Sequence, residues 1–305
     1  MLSGQKILIT GVGGMVAFPI AQFLAANNEV WGVSRFGNPA QLARVESAGI
    51  TTRSIDLADG GLSSLPDDFT YVLHLAWMRA GADQFDQAIR ANGEGLGFVL
   101  QHCRKAKAAL VVSSAAIYSV NADPWHKYVE SDPLGYMYAP WAPTSPVSKV
   151  AQETVARFCA RAFNLPVTIA RLNTVYGASV GLPGMNIDAV VAGQPVSVLS
   201  DPYPHSVIHS DDMNDQIEPL LDAARVPATI VNWAGDEVVT AQEWCAYAAE
   251  LAGTQAKVVV TPVHGAAPGV VADVTRRRSI TGPCLVTFKD GFRRLFEARR
   301  AAAEG

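Results

Sequence analysis

The sequence has few charges, few cysteines and no long apolar run. Charged residues make up 17% of the 305 residues and hydrophobic residues 49%, the opposite of the balance found in disordered chains. Lys and Arg number 24 against 28 Asp and Glu, so the chain lacks the basic excess typical of nucleic-acid-binding proteins. No stretch approaches the roughly 18 consecutive apolar residues that a membrane-spanning helix needs. We therefore expect neither a nucleic-acid partner nor a membrane span.

The four cysteines are far apart and form no Cys-x-x-Cys pair; they are Cys103, Cys159, Cys245 and Cys284. This spacing is typical of free thiols in a reduced compartment. The chain enters an apolar segment at residues 6–10, which leaves no room for a signal peptide. We therefore expect a cytoplasmic protein. No grouping of His, Cys and carboxylates has the spacing of metal ligands, so no metal site is expected.

Short apolar runs alternate with helical patterns through the first half of the chain. The predicted strands are Lys6–Thr10, Glu29–Ser34, Thr51–Ile55, Tyr71–Leu75, Leu110–Ser113 and Val167–Arg171. The predicted helices are Met15–Ala26, Pro39–Ala48, Phe85–Ala106 and Pro146–Phe163. Strands that are apolar on both faces and alternate with helices indicate a parallel sheet covered on both sides. The predicted fold class is α/β, a doubly wound parallel Rossmann sheet with a smaller C-terminal substrate lobe.

The connections lengthen after about residue 115, and the regular alternation ends after Arg171. Residues 121–143 hold four Pro, two Trp and three Tyr, and long structured loops of this kind are often functional. We predict a Rossmann domain over residues 1–171, joined by a returning segment, 206–235. We predict a substrate-binding lobe over 172–205 and 236–305.

A glycine-rich turn, Thr10-Gly11-Val12-Gly13-Gly14-Met15-Val16-Ala17, follows the first predicted strand. Glycines allow a backbone to turn sharply and to approach a pyrophosphate, and the next helix offers unpaired N–H groups at its N-terminus. A tight turn without a ligand would also use glycines. The position between a strand and an amphipathic helix favours a dinucleotide site with Gly11, Gly13, Gly14 and Met15 in contact with the cofactor.

The second predicted strand ends with Ser34 and Arg35. NAD-binding sites place Asp or Glu here, where the carboxylate holds the 2′-hydroxyl of the ribose. A small serine followed by arginine would instead accept a 2′-phosphate. We therefore favour NADP(H) over NAD(H), the alternative being that Arg35 is a solvated loop charge.

Further motifs follow the glycine turn in order. They are Ile55-Asp56-Leu57, His74-Leu75-Ala76, Asn92-Gly93-Glu94-Gly95, Ser113-Ser114-Ala115-Ala116-Ile117-Tyr118, Arg171-Leu172-Asn173-Thr174-Val175-Tyr176-Gly177, His209-Ser210-Asp211-Asp212 and Asn232-Trp233-Ala234-Gly235. With the turn, they resemble the extended short-chain dehydrogenase/reductase superfamily, and within it the NAD-dependent epimerase/dehydratase group, from residue 10 to about 243. The resemblance implies that Asp56 and Leu57 lie at the adenine and that Leu75 and Ala76 lie beside the cofactor.

The resemblance also implies catalytic roles and an assembly. Ser114 matches the serine that hydrogen-bonds the substrate oxygen, and Lys149 matches the lysine that holds the nicotinamide ribose. The helices predicted over 85–106 and 146–163 resemble the pair that forms a dimer interface in this group, so a homodimer is expected.

The Tyr of the group's Tyr-x-x-x-Lys signature is absent, because Ser145-Pro146-Val147-Ser148-Lys149 stands in its place. A serine hydroxyl is far less acidic than a phenol, whose pKa is about 10, so Ser145 cannot inherit the proton transfer. Serine before proline is also typical of a helix N-cap. Three hypotheses remain. Another phenol takes part, the candidates being Tyr118, Tyr136, Tyr138 and Tyr176; or water and Lys149 deliver the proton; or the site performs no ordinary redox reaction.

The substrate pocket is predicted to be apolar. Where nucleotide-sugar enzymes of the group carry Arg-Asp-Phe, this chain has His205-Ser206-Val207, and residues 172–205 contain no Lys or Arg. A sugar nucleotide is therefore disfavoured. Aromatic and Met side chains favour an apolar small molecule. The predicted pocket residues are Trp77, Trp125, Tyr136, Trp141, Met185 and Tyr203, with Trp233 a further candidate.

These features lead to one principal hypothesis and two alternatives. The principal hypothesis is an NADP(H)-dependent oxidoreductase that acts on a small apolar or aromatic carbonyl or alcohol. The first alternative is an epimerase, dehydratase or lyase whose bound cofactor undergoes no net redox change. The second is a non-catalytic NADP-binding protein.

Overall fold

The computed structural model describes residues 2–178 and 181–304. In these ranges the strands are β1 Lys6–Thr10, β2 Glu29–Ser34, β3 Thr51–Ser54, β4 Tyr71–His74, β5 Ala108–Ser114, β6 Lys127–Tyr128, β7 Val167–Leu172, β8 Val175–Tyr176, β9 Val196–Val198, β10 Pro204–Ser206, β11 Ile208–His209, β12 Thr229–Trp233, β13 Val238–Thr240, β14 Val258–Val260 and β15 Val271–Ala272. The helices are α1 Ala17–Ala25, α2 Pro39–Ser47, α3 Phe85–Ile89, α4 Gly95–His102, α5 Ser145–Ala162, α6 Gly181–Val191, α7 Ser210–Asp222, α8 Ala241–Ala252, α9 Thr275–Thr281 and α10 Phe288–Glu304.

Seven strands form one sheet in the order β12-β7-β5-β4-β1-β2-β3. The four pairings from β5 to β3 are all parallel, and β1 lies between β2 and β4. A ligand site is expected where the strand order reverses, outside the carboxyl ends of the strands on either side of β1. The predicted Rossmann-type α/β class is confirmed, and each predicted strand is present to within two residues at either end.

The helix predicted over 85–106 is interrupted. A π-helical turn, Arg90–Glu94, separates α3 from α4. The turn places the Asn92 side chain inward, where it bonds both the N–H (2.6 Å) and the carbonyl (3.0 Å) of Met78. The neighbouring Gly93 faces α5, and a Cβ there would lie 3.4 Å from the Cβ of Ala151, an ordinary contact distance. The spacing of apolar residues predicts the buried face of such a helix but does not reveal the extra residue that makes the π-turn. Turns of this kind are often found at functional sites.

The chain divides into two compact units. Unit 1 comprises residues 1–117, 139–171 and 214–231, and unit 2 comprises 118–138, 172–213 and 232–305. Segment 118–138 thus groups with the later part of the chain, whereas the sequence-based boundaries placed it within 1–171. A nucleotide-binding or substrate-binding role for either unit stays a prediction.

Each unit has its own apolar core. In unit 1, β-strand residues such as Leu8, Val72 and Val111 pack against Leu96 and Val99 of α4. In unit 2, the core contains residues of α6, α8 and α10 together with short strands. No helix in the described ranges is long and apolar enough to cross a membrane.

Candidate functional site

A cavity of about 740 Å³ lies in unit 1 at the carboxyl ends of β1, β2 and β4. Its wall combines the glycine turn, the end of β2, the segment after β3, the end of β4 and the π-turn; it includes Gly11, Gly14, Met15, Ser34, Arg35, Gln41, Asp56, Leu57, Leu75, Ala76, Trp77, Met78 and Asn92. All the predicted cofactor contacts except Gly13 and Lys149 therefore line one cavity. Its volume falls within the usual range for small-molecule and cofactor sites.

The glycine turn is held in a conformation that a side chain at position 11 would disturb. Gly11 has φ +70°, and its N–H donates to the carbonyl of Val33 at 2.7 Å. A Cβ on Gly11 would lie 2.6 Å from the Cα of Ala76, so the turn and the end of β4 can touch only because this residue is glycine. Close backbone approach of this kind also suits a pyrophosphate next to a helix N-terminus.

Helix α2 supports the turn through two side chains. The Gly13 carbonyl accepts hydrogen bonds from Gln41 Nε2 (2.8 Å) and from the Arg44 guanidinium (3.3 Å). The Arg44 guanidinium also lies over the Phe18 ring at 4.3 Å. Gly13 itself is absent from the cavity wall, but it anchors the turn from behind. The two contacts join residues that are 28 and 31 positions apart, so local sequence did not indicate them.

Ser34 and Arg35 end β2 at the cavity, and Arg35 is exposed. Phe36 follows with φ +43°, an uncommon conformation for a residue other than glycine. Across the cavity wall, Asp56 caps a short 3₁₀ turn by accepting the N–H of Ala58 at 3.0 Å. No residue from Ser34 to Gly37 is acidic, so this end of the cavity lacks a carboxylate on β2.

Lys149 is buried, with 5% of its surface exposed. Its ammonium donates to the Val112 carbonyl at 2.7 Å and to Gln152 Oε1 at 2.9 Å. Both acceptors are uncharged, and burial lowers the pKa of Lys149 to about 7, although Glu153 acts in the opposite direction. Glu153 is engaged with Arg171 through two bonds of 2.9–3.0 Å.

The three polar residues predicted around the reacting oxygen, Ser114, Ser145 and Lys149, are not among the residues lining the cavity. Ser114 Oγ accepts the N–H of Ala116 at 3.1 Å, as a strand-end turn residue does. Helix α5 begins at Ser145, and Thr144 occupies the cap position. The N-cap interpretation of Ser145 was therefore wrong, because Pro146 occupies the second helical position and not the first.

The phenols considered as replacements for the missing tyrosine are all in unit 2. Tyr118 is fully buried and donates to Asn232 Oδ1 at 2.6 Å. Burial raises the pKa of Tyr176, with further increases from Glu237 and Asp212. Tyr136 and Tyr138 stack on each other with ring centroids 6.0 Å apart.

The predicted pocket residues differ in exposure. Of the residues predicted to bind substrate, four are exposed aromatic side chains and one is an exposed methionine: Trp77, Trp125, Tyr136, Trp141 and Met185. Trp77 is at the cavity of unit 1. Tyr203 and Trp233 are instead buried in unit 2, and their predicted contact with substrate stays a prediction. Tyr203 belongs to the apolar core of unit 2 and contacts His205 with ring centroids 4.4 Å apart.

The two histidines noted from the sequence are buried and neutral. Burial lowers the pKa of His205 to about 3 and that of His209 to about 4. Thr174 Oγ1 lies 2.8 Å from His205 Nδ1, and His209 Nδ1 accepts the N–H of Asp211 at 3.1 Å. These contacts are compatible with a structural role for both side chains. In the described part of the chain, no group of three or more His, Cys, Asp and Glu could hold a metal ion.

Comparison with protein families finds one match. The model of the NAD dependent epimerase/dehydratase family matches residues 7–232, about three quarters of the chain. Among curated proteins, an uncharacterised 37.6 kDa protein in the cld 5′ region of Escherichia coli O111:H- is 25% identical over 250 residues, which cover 75% of this chain and 72% of that protein.

Solved structures share the fold at low identity. The UDP-glucuronic acid 4-epimerase from Bacillus cereus, in complex with UDP-glucuronic acid and NAD, superposes with a TM-score of 0.83 at 19% identity over 97% of this chain and 99% of that one. The UDP-N-acetylglucosamine 4-epimerase from Methanobrevibacter ruminantium M1, in complex with UDP-N-acetylmuramic acid, gives 0.83 at 17% identity over 99% and 100% of the two chains. At this identity the likeness establishes the fold and not the substrate.

Proposed function

Because the chain belongs to the NAD dependent epimerase/dehydratase family, we propose that it is an enzyme that binds a nicotinamide dinucleotide in the cavity of unit 1. We propose further that it catalyses an epimerisation, dehydration or lyase reaction with no net consumption of the cofactor. When bound, the dinucleotide supplies a reversible hydride acceptor. The observation that carries the proposal is the single cavity that gathers the glycine turn, the end of β2, Asp56-Leu57 and Leu75-Ala76.

Family membership and the epimerases among the solved neighbours favour this reaction class over a reductase with net redox chemistry. The chain's own residues are compatible with it. Lys149 is retained, and an amine whose pKa is about 7 can give or take a proton at neutral pH. Ser145 supplies no phenol, so we assign the proton transfer to the Lys149 amine, with the Ser114 hydroxyl as the candidate hydrogen-bond donor to the substrate oxygen.

NADP(H) is the proposed form of the cofactor, although the solved neighbours named above include one in complex with NAD. Ser34 leaves room at the end of β2, and exposed Arg35 supplies a guanidinium for a 2′-phosphate. The test is the dissociation constant for NADP⁺ and NAD⁺ in wild type and in Arg35→Ala. Loss of one charge-assisted contact should weaken NADP⁺ binding about 5- to 30-fold and leave NAD⁺ unchanged.

Arg53 provides the matched control for this test. It is an exposed arginine on the neighbouring strand β3, outside the cavity wall, with its guanidinium over Trp31 at 4.9 Å. Arg53→Ala should leave both dissociation constants unchanged. Tighter binding of NAD⁺ than NADP⁺ by the wild type would overturn the assignment of the phosphate.

The proposed substrate is a small hydroxy or carbonyl compound without a nucleotide diphosphate. The segment 172–205 offers no Lys or Arg, and buried His205 is neutral, so neither can hold a diphosphate. Exposed Trp77 and Trp141 supply apolar surface in unit 1, and Trp125 and Met185 supply it in unit 2.

The reaction is tested by incubating the protein and stoichiometric NADP⁺ with two panels, UDP-sugars and unconjugated hydroxy ketones, in deuterated water. NMR should detect an epimerised or dehydrated product from the second panel, with no lasting change in the reduced-nicotinamide absorbance. Stoichiometric NADPH production would instead indicate a dehydrogenase. Turnover of UDP-sugars would contradict the proposed substrate class.

A further inference from the structure

A layer of buried polar side chains lies near the Lys149 ammonium in unit 1: Gln152 accepts a hydrogen bond from it, and Ser113 follows Val112, whose carbonyl accepts another. Three of its side chains have polar atoms without a hydrogen-bond partner: His74 Nε2, Ser113 Oγ and Gln152 Nε2. Gln152 is fully buried and accepts from Lys149 through Oε1 while its amide nitrogen lacks a partner. In a buried amide, both the oxygen and the nitrogen usually have hydrogen-bond partners. An amide next to a charge in which only the oxygen has a partner therefore calls for an explanation.

His74 adds no compensating charge to this layer. Thr10 Oγ1 accepts the N–H of Ala76 at 3.2 Å, which leaves its own proton for His74 Nδ1 at 3.0 Å. Burial, with a smaller contribution from Lys149, lowers the pKa of His74 to about 3, so the imidazole is neutral at neutral pH.

The remaining ionisable groups do not neutralise Lys149 directly. Glu153 is the one carboxylate found to influence it, and both its oxygens bind Arg171. Three other ionisable side chains lie on segments that pack against α5, namely Asp86 of α3 and Arg90 and Glu94 of the π-turn, and all three are exposed. In α4, the His102 ring contacts the Pro66 carbonyl. Strand β5 carries no ionisable side chain. Among the residues that the structure describes, Lys149 is therefore held by dipoles without a direct counter-ion.

We infer that Gln152 is a positioning residue for Lys149: it fixes the amine next to the Val112 carbonyl of β5 through an uncharged acceptor, so that no buried counter-charge holds Nζ in its protonated form. This inference rests on the proposed role of Lys149 in proton transfer. A carboxylate at position 152 would supply the missing counter-charge and lock the lysine in its protonated form.

The test is a pH titration of the Lys149 Cε signal in protein labelled with ¹³C-lysine, without cofactor or substrate. The signal is assigned by its loss in Lys149→Arg. The wild-type midpoint is expected near pH 7. Gln152→Glu should raise it by about one pH unit or more, and Gln152→Leu, which removes the acceptor, should lower it.

Thr154→Glu is the matched control, because it places the same charge on the exposed face of α5 two residues away. It should leave the midpoint unchanged. A wild-type midpoint near 10, or equal midpoints in wild type, Gln152→Glu and Gln152→Leu, would overturn the inference. If Gln152→Glu does not fold, the wild-type and Gln152→Leu titrations decide. Because no ligand is present, the outcome is independent of the proposed reaction.

Discussion

Replacement of Gly11 by alanine tests the cofactor turn most sharply, since two separable penalties act at this position. The first is conformational: φ is +70°, a region that costs an L-residue about 1–2 kcal/mol. The second is steric: the new Cβ would lie 2.6 Å from the Cα of Ala76, whereas ordinary contact begins at 3.4 Å. The overlap of about 0.8 Å (3.4 − 2.6) is with backbone, so the turn or the end of β4 must move, at a cost of about 1–3 kcal/mol.

Gly49 separates the two penalties. Its φ is +77°, and a Cβ there would meet nothing within 4 Å. Gly49→Ala should lower the free energy of unfolding by about 1–2 kcal/mol and leave dinucleotide affinity unchanged. Gly11→Ala should lower it by about 2–5 kcal/mol and weaken binding at least about tenfold, because both displaced segments line the cavity. Urea unfolding and nucleotide titration measure the two quantities. Equal effects of the two substitutions on both would refute the close-approach argument.

Three further predictions concern buried polar groups. Arg171→Met leaves the buried Glu153 carboxylate without its ion-pair partner and should lower the free energy of unfolding, measured in urea, by about 3–5 kcal/mol. The double variant Arg171→Met/Glu153→Leu should recover most of this loss. His205 is neutral when folded and protonates more readily when unfolded, so it should contribute a fall in stability of about 1.4 kcal/mol per pH unit as pH decreases below about 6.5 towards 3, in addition to falls of the same sign from His74 and His209. His205→Gln should reduce the total slope by about this amount, and an unchanged slope would exclude the residue. Asn92→Ala removes both hydrogen bonds to the Met78 backbone, so it should lower the free energy of unfolding by about 2 kcal/mol and weaken dinucleotide binding. Unaltered binding would show that the π-turn does not contribute to the cofactor site.

Much of the sheet follows from local sequence. The spans Lys6–Thr10 and Glu29–Ser34 are the same in prediction and structure, because continuous β-branched and apolar residues between turn signals define a buried parallel strand. The glycine turn was also identified correctly as a tight turn, since few residues other than glycine adopt a φ like that of Gly11.

The polar details were not predictable in this way. The inward position of Lys149 depends on a carbonyl of β5 and on Gln152, and the first of these partners is distant in sequence. The cap assigned to Ser145 failed because helix α5 begins one residue earlier than the serine–proline pair predicts. Tyr203 was predicted as a pocket residue from its type alone, whereas the structure places it in the apolar core of unit 2, among residues that are distant in sequence.

Calorimetric titration of the purified protein with NADP⁺ and with NAD⁺ tests the proposed cofactor site most directly. Saturable binding of one dinucleotide per chain is expected, tighter for NADP⁺, weakened at least about tenfold in Gly11→Ala and retained in Gly49→Ala. No detectable binding of either dinucleotide, or binding that Gly11→Ala leaves intact, would contradict the assignment of the unit 1 cavity.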